Sequence, residues 1–559
     1  MVGDHARRER PRAGLLAVLL VAGIAGGCWR GAWTGAGDPP ADTDTDADAD
    51  TDTDTDSDTD ADGDMDSDTD GDTGTGTAPP LANPTLAWAV KAIGWGPATV
   101  NELAALSNGG VVLVGDFQGI LEVDPLGPNH TNFGGSVNMP SGFVMYFDDD
   151  GHYQWGIPVS DYNSAQRVLS VVALPDDSVV VAGGFAGELG GSILPEDTAT
   201  LASAGQLDGF LARVDAQGEM IWIRQAGGAA WDVVSSVRLL APDRLLVVGH
   251  FAAGPGGGAG AEIVFAAGEP EQTSLVASGD GPVFYATYDL DGTFLEGGEI
   301  ARGAEILSVA EISTRADGSV ALGGTFSDTA QVGTGSAIES FETSGEAAWF
   351  LGDFSPELAL EWTASGLGAH NVINSLAAGG PGTVAFGASF SGDGSFGVDD
   401  PFTVWSGTGQ DGALGLFSAE GEAGWLTTFD CGSDDEVAVI RFDLPGRICF
   451  AGMVGDADST CQVVLGEGAE NEAAYETLGK GDVVIGCHAA DGQLEWARFF
   501  GSVGEDRATA MAVGENGTVF VAGNYSQPVV VEEQTVDLWY LDVVDNDVDG
   551  AVFLVRYDP

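Results

Sequence analysis

The chain has 559 residues, 85 of them glycine, with 44% hydrophobic side chains and a formal net charge of -67. That length exceeds what one ordinary core organises, so several domains or a repeat array are expected. Residues 73 to 559 alone carry 67 acidic against 14 basic side chains, a balance that excludes nucleic acid and anionic lipid head groups as partners of the folded body and favours cations or basic ligands.

In chain order, the first element is an export signal. Arg7, Arg8, Arg10 and Arg12 form a basic region, "AGLLAVLLVAGIA" is an apolar run too short for a comfortable membrane span, and "GGC" places small residues before Cys28. A cysteine in that setting resembles a bacterial lipoprotein cleavage site, although Ala25 stands where that motif usually has leucine. The resemblance implies a signal peptide over residues 1–27 and diacylglycerol on Cys28. With Trp29 rather than aspartate next, it also implies an outer-membrane or cell-surface anchor. The alternative is ordinary cleavage and secretion. Residues 28–81 then form a lipidated Asp/Thr-rich linker. Its alternating aspartates repel one another and it has almost nothing to bury, so an extended disordered stalk is expected. Within it Asp58 to Asp66 has the spacing of a calcium loop, with loose counterion condensation as the simpler reading.

From Leu86 one pattern recurs. Aligned on one position, the copies carry Trp88, Trp155, Trp222, Leu295, Trp362, Trp425 and Trp496. Each copy holds four short runs of period-2 character, exemplified by "TAMAV" (A), "VFVAGNY" (B), "VVIGCH" (C) and "LEWARFF" (D). Tight turns such as "ENGT" and "AADGQ" join them, which makes neighbours antiparallel. Seven four-stranded antiparallel units predict an all-β, seven-bladed β-propeller over residues 82–559, with strand A innermost. The first copy begins with strand D and lacks strand C. The terminal "DGAVFLVRYD" supplies it, so the last strand is expected to complete the first blade and close the ring.

The runs "DGFLARVD..G...W" and "D......V....DG.V.VAG.F" resemble bacterial SBBP-type seven-bladed propeller repeats across residues 86 to 558. Signal, stalk and propeller together are similar to surface lipoproteins of myxobacteria and their relatives. The resemblance implies a fold and a location, and no catalytic residues. With no cluster of paired carboxylates or His/Arg set at either mouth, the residues favour a non-catalytic, monomeric surface protein held to the membrane by its N-terminal lipid, with the propeller binding an extracellular ligand or protein. The alternative is an extracellular propeller enzyme, polysaccharide-cleaving or quinoprotein-like.

Ten residues after the tryptophan position stand Asp232, Glu305, Asp435 and Asp506, at the D-to-A connection near one mouth of the channel. They read either as caps for backbone N–H groups or as an acidic mouth for a cation or basic ligand. Asp545, Asp547 and Asp549 have half of a calcium-loop pattern, but Arg556 stands at position twelve, where that loop has glutamate. Calcium is therefore the one cofactor worth testing. No histidine pair, nucleophile elbow or phosphate-binding loop is found in a suitable context. The four remaining cysteines fall on one blade and its neighbour. Cys449 opens a strand B and Cys487 closes the following strand C, at one face. Cys431 ends the preceding strand D and Cys461 follows strand B, near the other face. Strand directions thus predict Cys449–Cys487 and Cys431–Cys461, the alternative being buried free thiols.

Overall fold

A computed structural model describes residues 84–559 apart from short loop segments, of which 190–200 and 532–550 are the longest. Cys28, the Asp/Thr tract and Asp545, Asp547 and Asp549 lie outside the described residues. Each repeat forms one antiparallel sheet in the order A-B-C-D, and seven such blades are found among the described residues. Blade 1 is Ala98–Ala105, Val111–Phe117, Ser141–Phe147 and Tyr153–Val159, and blades 2 to 6 follow in sequence. Blade 7 joins both ends of the propeller: Asp506–Val513 (A), Val519–Tyr525 (B), Ala551–Asp558 (C) and Thr85–Gly94 (D). Its strand C pairs with B from Val519↔Tyr557 to Tyr525↔Ala551, and with D from Thr85↔Asp558 to Ile93↔Ala551. The expected closure is present.

Strand B is buried along its whole length in most blades, as in Val179–Phe185 and Ile448–Val454. It lies mid-blade and is sandwiched between neighbouring sheets, so its sequence is a nearly continuous apolar run. The recurring tryptophans make the joint between blades. Trp155 donates its indole N–H to the Ala216 carbonyl at 3.0 Å, and Trp222 does the same to Leu290 at 2.9 Å. The acceptor in each case lies in the C-to-D turn of the next blade. The ring covers that turn's glycine so closely that a Cβ on Gly218 would sit 2.8 Å from Trp155. Gly151, Gly292, Gly421 and Gly492 meet Trp88, Trp222, Trp362 and Trp425 in the same way. The copy with Leu295 in place of tryptophan is followed by a turn with Leu358, at φ 59°, where the others have glycine.

Two features were not foreseen. The B-to-C insertions of blades 1, 3 and 4 fold into hairpins that pair with strand D of the preceding blade, widening blades 7, 2 and 3 to six strands. Each also buries alternate residues, such as Ile263 and Phe265, against that blade. In addition, every strand A carries a β-bulge, at Glu102, Ser170, Ser236, Glu311, Ser375, Val439 and Ala510. Such bulges re-aim side chains.

Both disulfides form as paired above. Cys449 and Cys487 face each other across strands B and C with Cα atoms 4.0 Å apart, and Cys431 and Cys461 are 5.5 Å apart. The second bond ties the end of blade 5 to the start of blade 6's hairpin, Gln462–Leu465 and Ala473–Glu476. That hairpin forms a two-stranded sheet of its own, so the covalent bond ties it to the preceding blade, a link that strand pairing makes for the hairpins of blades 1, 3 and 4. Two disulfides are a mark of an oxidising compartment, extracellular or periplasmic. No helix among the described residues is long and apolar enough to cross a membrane.

Candidate functional site: blade joints, axial channel and a rim groove

Asp232, Asp435 and Asp506 are fully buried at the start of strand A. Asp232 accepts N–H groups from Gly228 at 2.6 Å and Ala252 at 3.0 Å, and Asp435 accepts from Cys431 at 2.6 Å and Gly455 at 2.8 Å. Asp506 accepts from Ser502 and Ser526 in the same manner. Each carboxylate thus links the end of the preceding strand D to the end of its own strand B. Its own N–H is donated to the residue before the previous blade's strand C, for example Asp232 to Leu207 at 2.8 Å. Glu305 opens strand A of blade 4, opposite Ser327; its side chain is outside the described residues. The same place is held by Gln166 and Asn371, whose N–H groups bond Pro140 and Ala347. A fixed ten-residue offset from the tryptophan misses both, because the connection is one residue longer in one case and one shorter in the other.

Beside these groups stand Asp208, Asp411 and Asp482, buried at the start of the preceding blade's strand C. Burial pushes Asp232 and Asp506 up to about 7 and Asp435 up to about 8, against the pull of the backbone donors, and the neighbouring carboxylates add to the rise. The oxygens of Asp411, Asp430 and Asp435 come within 4.8 Å of one another, the one grouping of metal-ligating side chains among the described residues. What these clusters do chemically is hold blade joints together and hold protons near neutral pH.

The axial channel is occupied by a charge network that crosses blades. Arg238 bridges Glu102, at 2.6 Å, and Glu311, while Arg441 bridges Glu102 at 3.2 Å and Glu311 at 3.0 Å. Serines connect the members. Ser170 donates to Glu102 at 2.6 Å and Ser375 to Glu311 at 2.8 Å, and each hydroxyl accepts an N–H from the next blade, Val237 or Ile440. Glu102, Ser170 and Arg238 on blades 1 to 3 are therefore repeated as Glu311, Ser375 and Arg441 on blades 4 to 6. Burial raises the Glu311 pKa, but Arg441, Arg238 and Ser375 outweigh it and hold the carboxyl below its usual range. The remaining cavity is about 100 Å³. The sequence signal was available: glutamate at the bulge in "VNELAA" and "SVAEIST", and arginine two places further on in "SSVRLLA" and "VAVIRFD".

At the rim, a groove of about 330 Å³ runs between the hairpin strand Thr273–Val276, on blade 2, and the hairpin Thr329–Thr334/Ala337–Glu342, on blade 3. Strand D of blade 3, Phe294–Arg302, supplies its floor. Leu275, Val276, Ala301 and Ile338 give it apolar walls, with Val276 55% exposed. Its polar side is already ordered: Arg302 bonds Gln331 and Ser278, each at 2.7 Å, and Glu299 at 3.2 Å, and Glu299 accepts the Ser278 N–H at 2.7 Å.

No protein-family model matches the chain, and no curated protein matches it; the SBBP-type resemblance rests on the repeat alone. Similar solved structures include the WD40 β-propeller domain of Doa1, 11% identical over 85% of this chain and 97% of that one, with a TM-score of 0.35. Sqt1 from Chaetomium thermophilum is 10% identical over 79% of this chain and 82% of its own, with a TM-score of 0.34. The rhamnogalacturonan lyase PL11 of Bacillus licheniformis is 11% identical over 84% and 90%, with a TM-score of 0.23. The seven sheets themselves, rather than these distant likenesses, establish the propeller.

Proposed function

We propose that the chain is an exported binding protein: lipid on Cys28 anchors it at the outer membrane or cell surface, the Asp/Thr tract is the linker between anchor and propeller, and the propeller binds an extracellular ligand or partner as a monomer. The observation that carries the binding role is the rim groove. Its walls come from two insertion hairpins that are not part of the four-stranded repeat, and it combines exposed apolar side chains with a pre-ordered polar floor, the composition of a ligand site. The disulfides support the exported location.

The test screens soluble glycans and short peptides against the full chain and against Val276→Trp, which obstructs the groove from an exposed position. A ligand class that binds the parent and loses about tenfold in affinity with the variant supports the reading. If every ligand found binds both proteins equally, the groove is not the site. For the anchor, Cys28→Ala is expected to move the protein from the membrane fraction to the soluble one. Mass spectrometry showing a mature N-terminus without an acyl chain refutes it.

A further inference from the structure

The hairpin strand Ala337–Glu342 is the outermost strand of blade 3's six-stranded sheet, and no other described strand pairs with its far side. Five of its six residues are exposed; Phe341 is half-buried and packs on Phe326. The pairing runs from Thr329↔Glu342 to Thr334↔Ala337, and the adjoining Thr343 donates its N–H to Asp328 at 2.7 Å. By the alternation of an antiparallel ladder, Ile338, Ser340 and Glu342 turn their N–H and C=O groups away from the sheet. Sheet edges are ordinarily blunted with lysine, proline or a covering segment. This one has neither lysine nor proline, and its only charges are Glu339 and Glu342. Two copies placed edge to edge would oppose glutamates. The nearby cation, Arg302, is committed to Glu299, Gln331 and Ser278.

Resting on the groove as the binding site, we infer that its partner is a basic, extended peptide segment that adds a further strand to blade 3 along Ala337–Glu342. Main-chain bonds form with Ile338, Ser340 and Glu342, apolar side chains of the segment lie on the face of Ile338 toward the groove, and basic ones lie on the opposite face beside Glu339. Backbone pairing supplies affinity and the alternation of side chains supplies selectivity. The two glutamates disfavour pairing of the same strand with a second copy of the chain.

The probe is a fluorescent peptide alternating valine and lysine, titrated into the full chain and compared with a valine/glutamate peptide and with the basic peptide N-methylated at alternate residues. Saturable binding of the first, and losses of about tenfold or more for the other two, are expected. Ser340→Pro removes one outward N–H without touching the ladder with Thr329–Thr334, so it is expected to weaken binding about tenfold at an unchanged melting temperature. Glu339→Lys does so through charge, with no change in the backbone. Equal binding of the methylated and unmethylated peptides would mean that charge alone holds the peptide to an acidic surface, and would overturn the proposal. So would a doubling of molecular mass in solution that Glu339→Lys abolishes, because the edge would then be pairing with a second copy. If Val276→Trp abolishes capture of some ligand while Ser340→Pro leaves it intact, the groove reading stands and the added strand does not.

Discussion

Replacing Gly218 with alanine should destabilise the propeller by two separable amounts. The residue sits at φ +86°, where an L side chain crowds its own carbonyl at a cost of about 1–2 kcal/mol. The new Cβ would lie 2.8 Å from Cδ2 and 3.0 Å from Cγ of Trp155, so the indole must move, with its N–H bond to Ala216 at 3.0 Å at stake. Over-packing of this kind costs about 1–3 kcal/mol more. Gly268 provides the control. It has nearly the same backbone, φ +82°, but nothing lies within 4 Å of its Cβ position, so Gly268→Ala incurs only the first cost. Urea unfolding of both variants, followed by far-ultraviolet circular dichroism and by tryptophan fluorescence, should give a larger midpoint shift for Gly218→Ala at an unchanged slope, with a difference of about 1–3 kcal/mol. Equal destabilisation of the two variants would refute the idea that tryptophan on a turn glycine is the joint between blades.

The pH dependence has a definite sign. The folded-state pKa values of Asp232, Asp435 and Asp506 are raised to about 7, 8 and 7, so the native protein holds protons that the unfolded chain releases; that stability is present at low pH and is lost as pH rises through 7 to 8. Melting temperature should therefore fall from mildly acidic to mildly basic buffer, and Asp435→Asn should flatten the slope in that window; a variant with the parent's slope refutes the assignment. Removing residues 551–558 takes away the strand between Val519–Tyr525 and Thr85–Gly94 and exposes two edges. Limited proteolysis should then release the 85–94 segment, and a protease pattern unchanged from the parent counts against the clasp. Glu311→Gln leaves Arg238 and Arg441 sharing one carboxylate, and breaking a buried pair costs about 3–5 kcal/mol. Ser375→Ala, measured in the same urea series, should cost only about 1 kcal/mol.

The strands and their order were legible because each run fits one pleated surface and the turns between them force antiparallel neighbours. The disulfide partners followed, since Cys449 and Cys487 could be placed from strand direction alone and now stand opposite each other in register. The hairpin destinations were not legible. Nothing local in "EIVF" or "TAQVGT" says which blade it joins, since that depends on which sheet edge the loop can reach. The axial network was hidden for a different reason. Glu102 and Arg441 are 339 residues apart and meet only because closure brings blades 6 and 1 to opposite sides of blade 7. Of the acidic set, Asp232, Asp435 and Asp506 proved to be buried joints, and their neighbours Asp208, Asp411 and Asp482 escaped notice because they resemble ordinary turn residues at the start of strand C.

The Glu–Ser–Arg order on blades 1 to 3, its repetition on blades 4 to 6, and Thr509 with Ala510 on blade 7 together make the channel a gauge of ring size. Arg441 reaches Glu102 across one intervening blade. A chain that gained a unit by repeat duplication, or lost one by recombination between similar copies, would strand a buried arginine or glutamate without its counterpart. Repeat arrays are prone to such slippage, and many of their internal contacts survive it because each blade touches only its neighbours. Charges that must match across the axis do not survive it, so this propeller carries its blade number in four side chains.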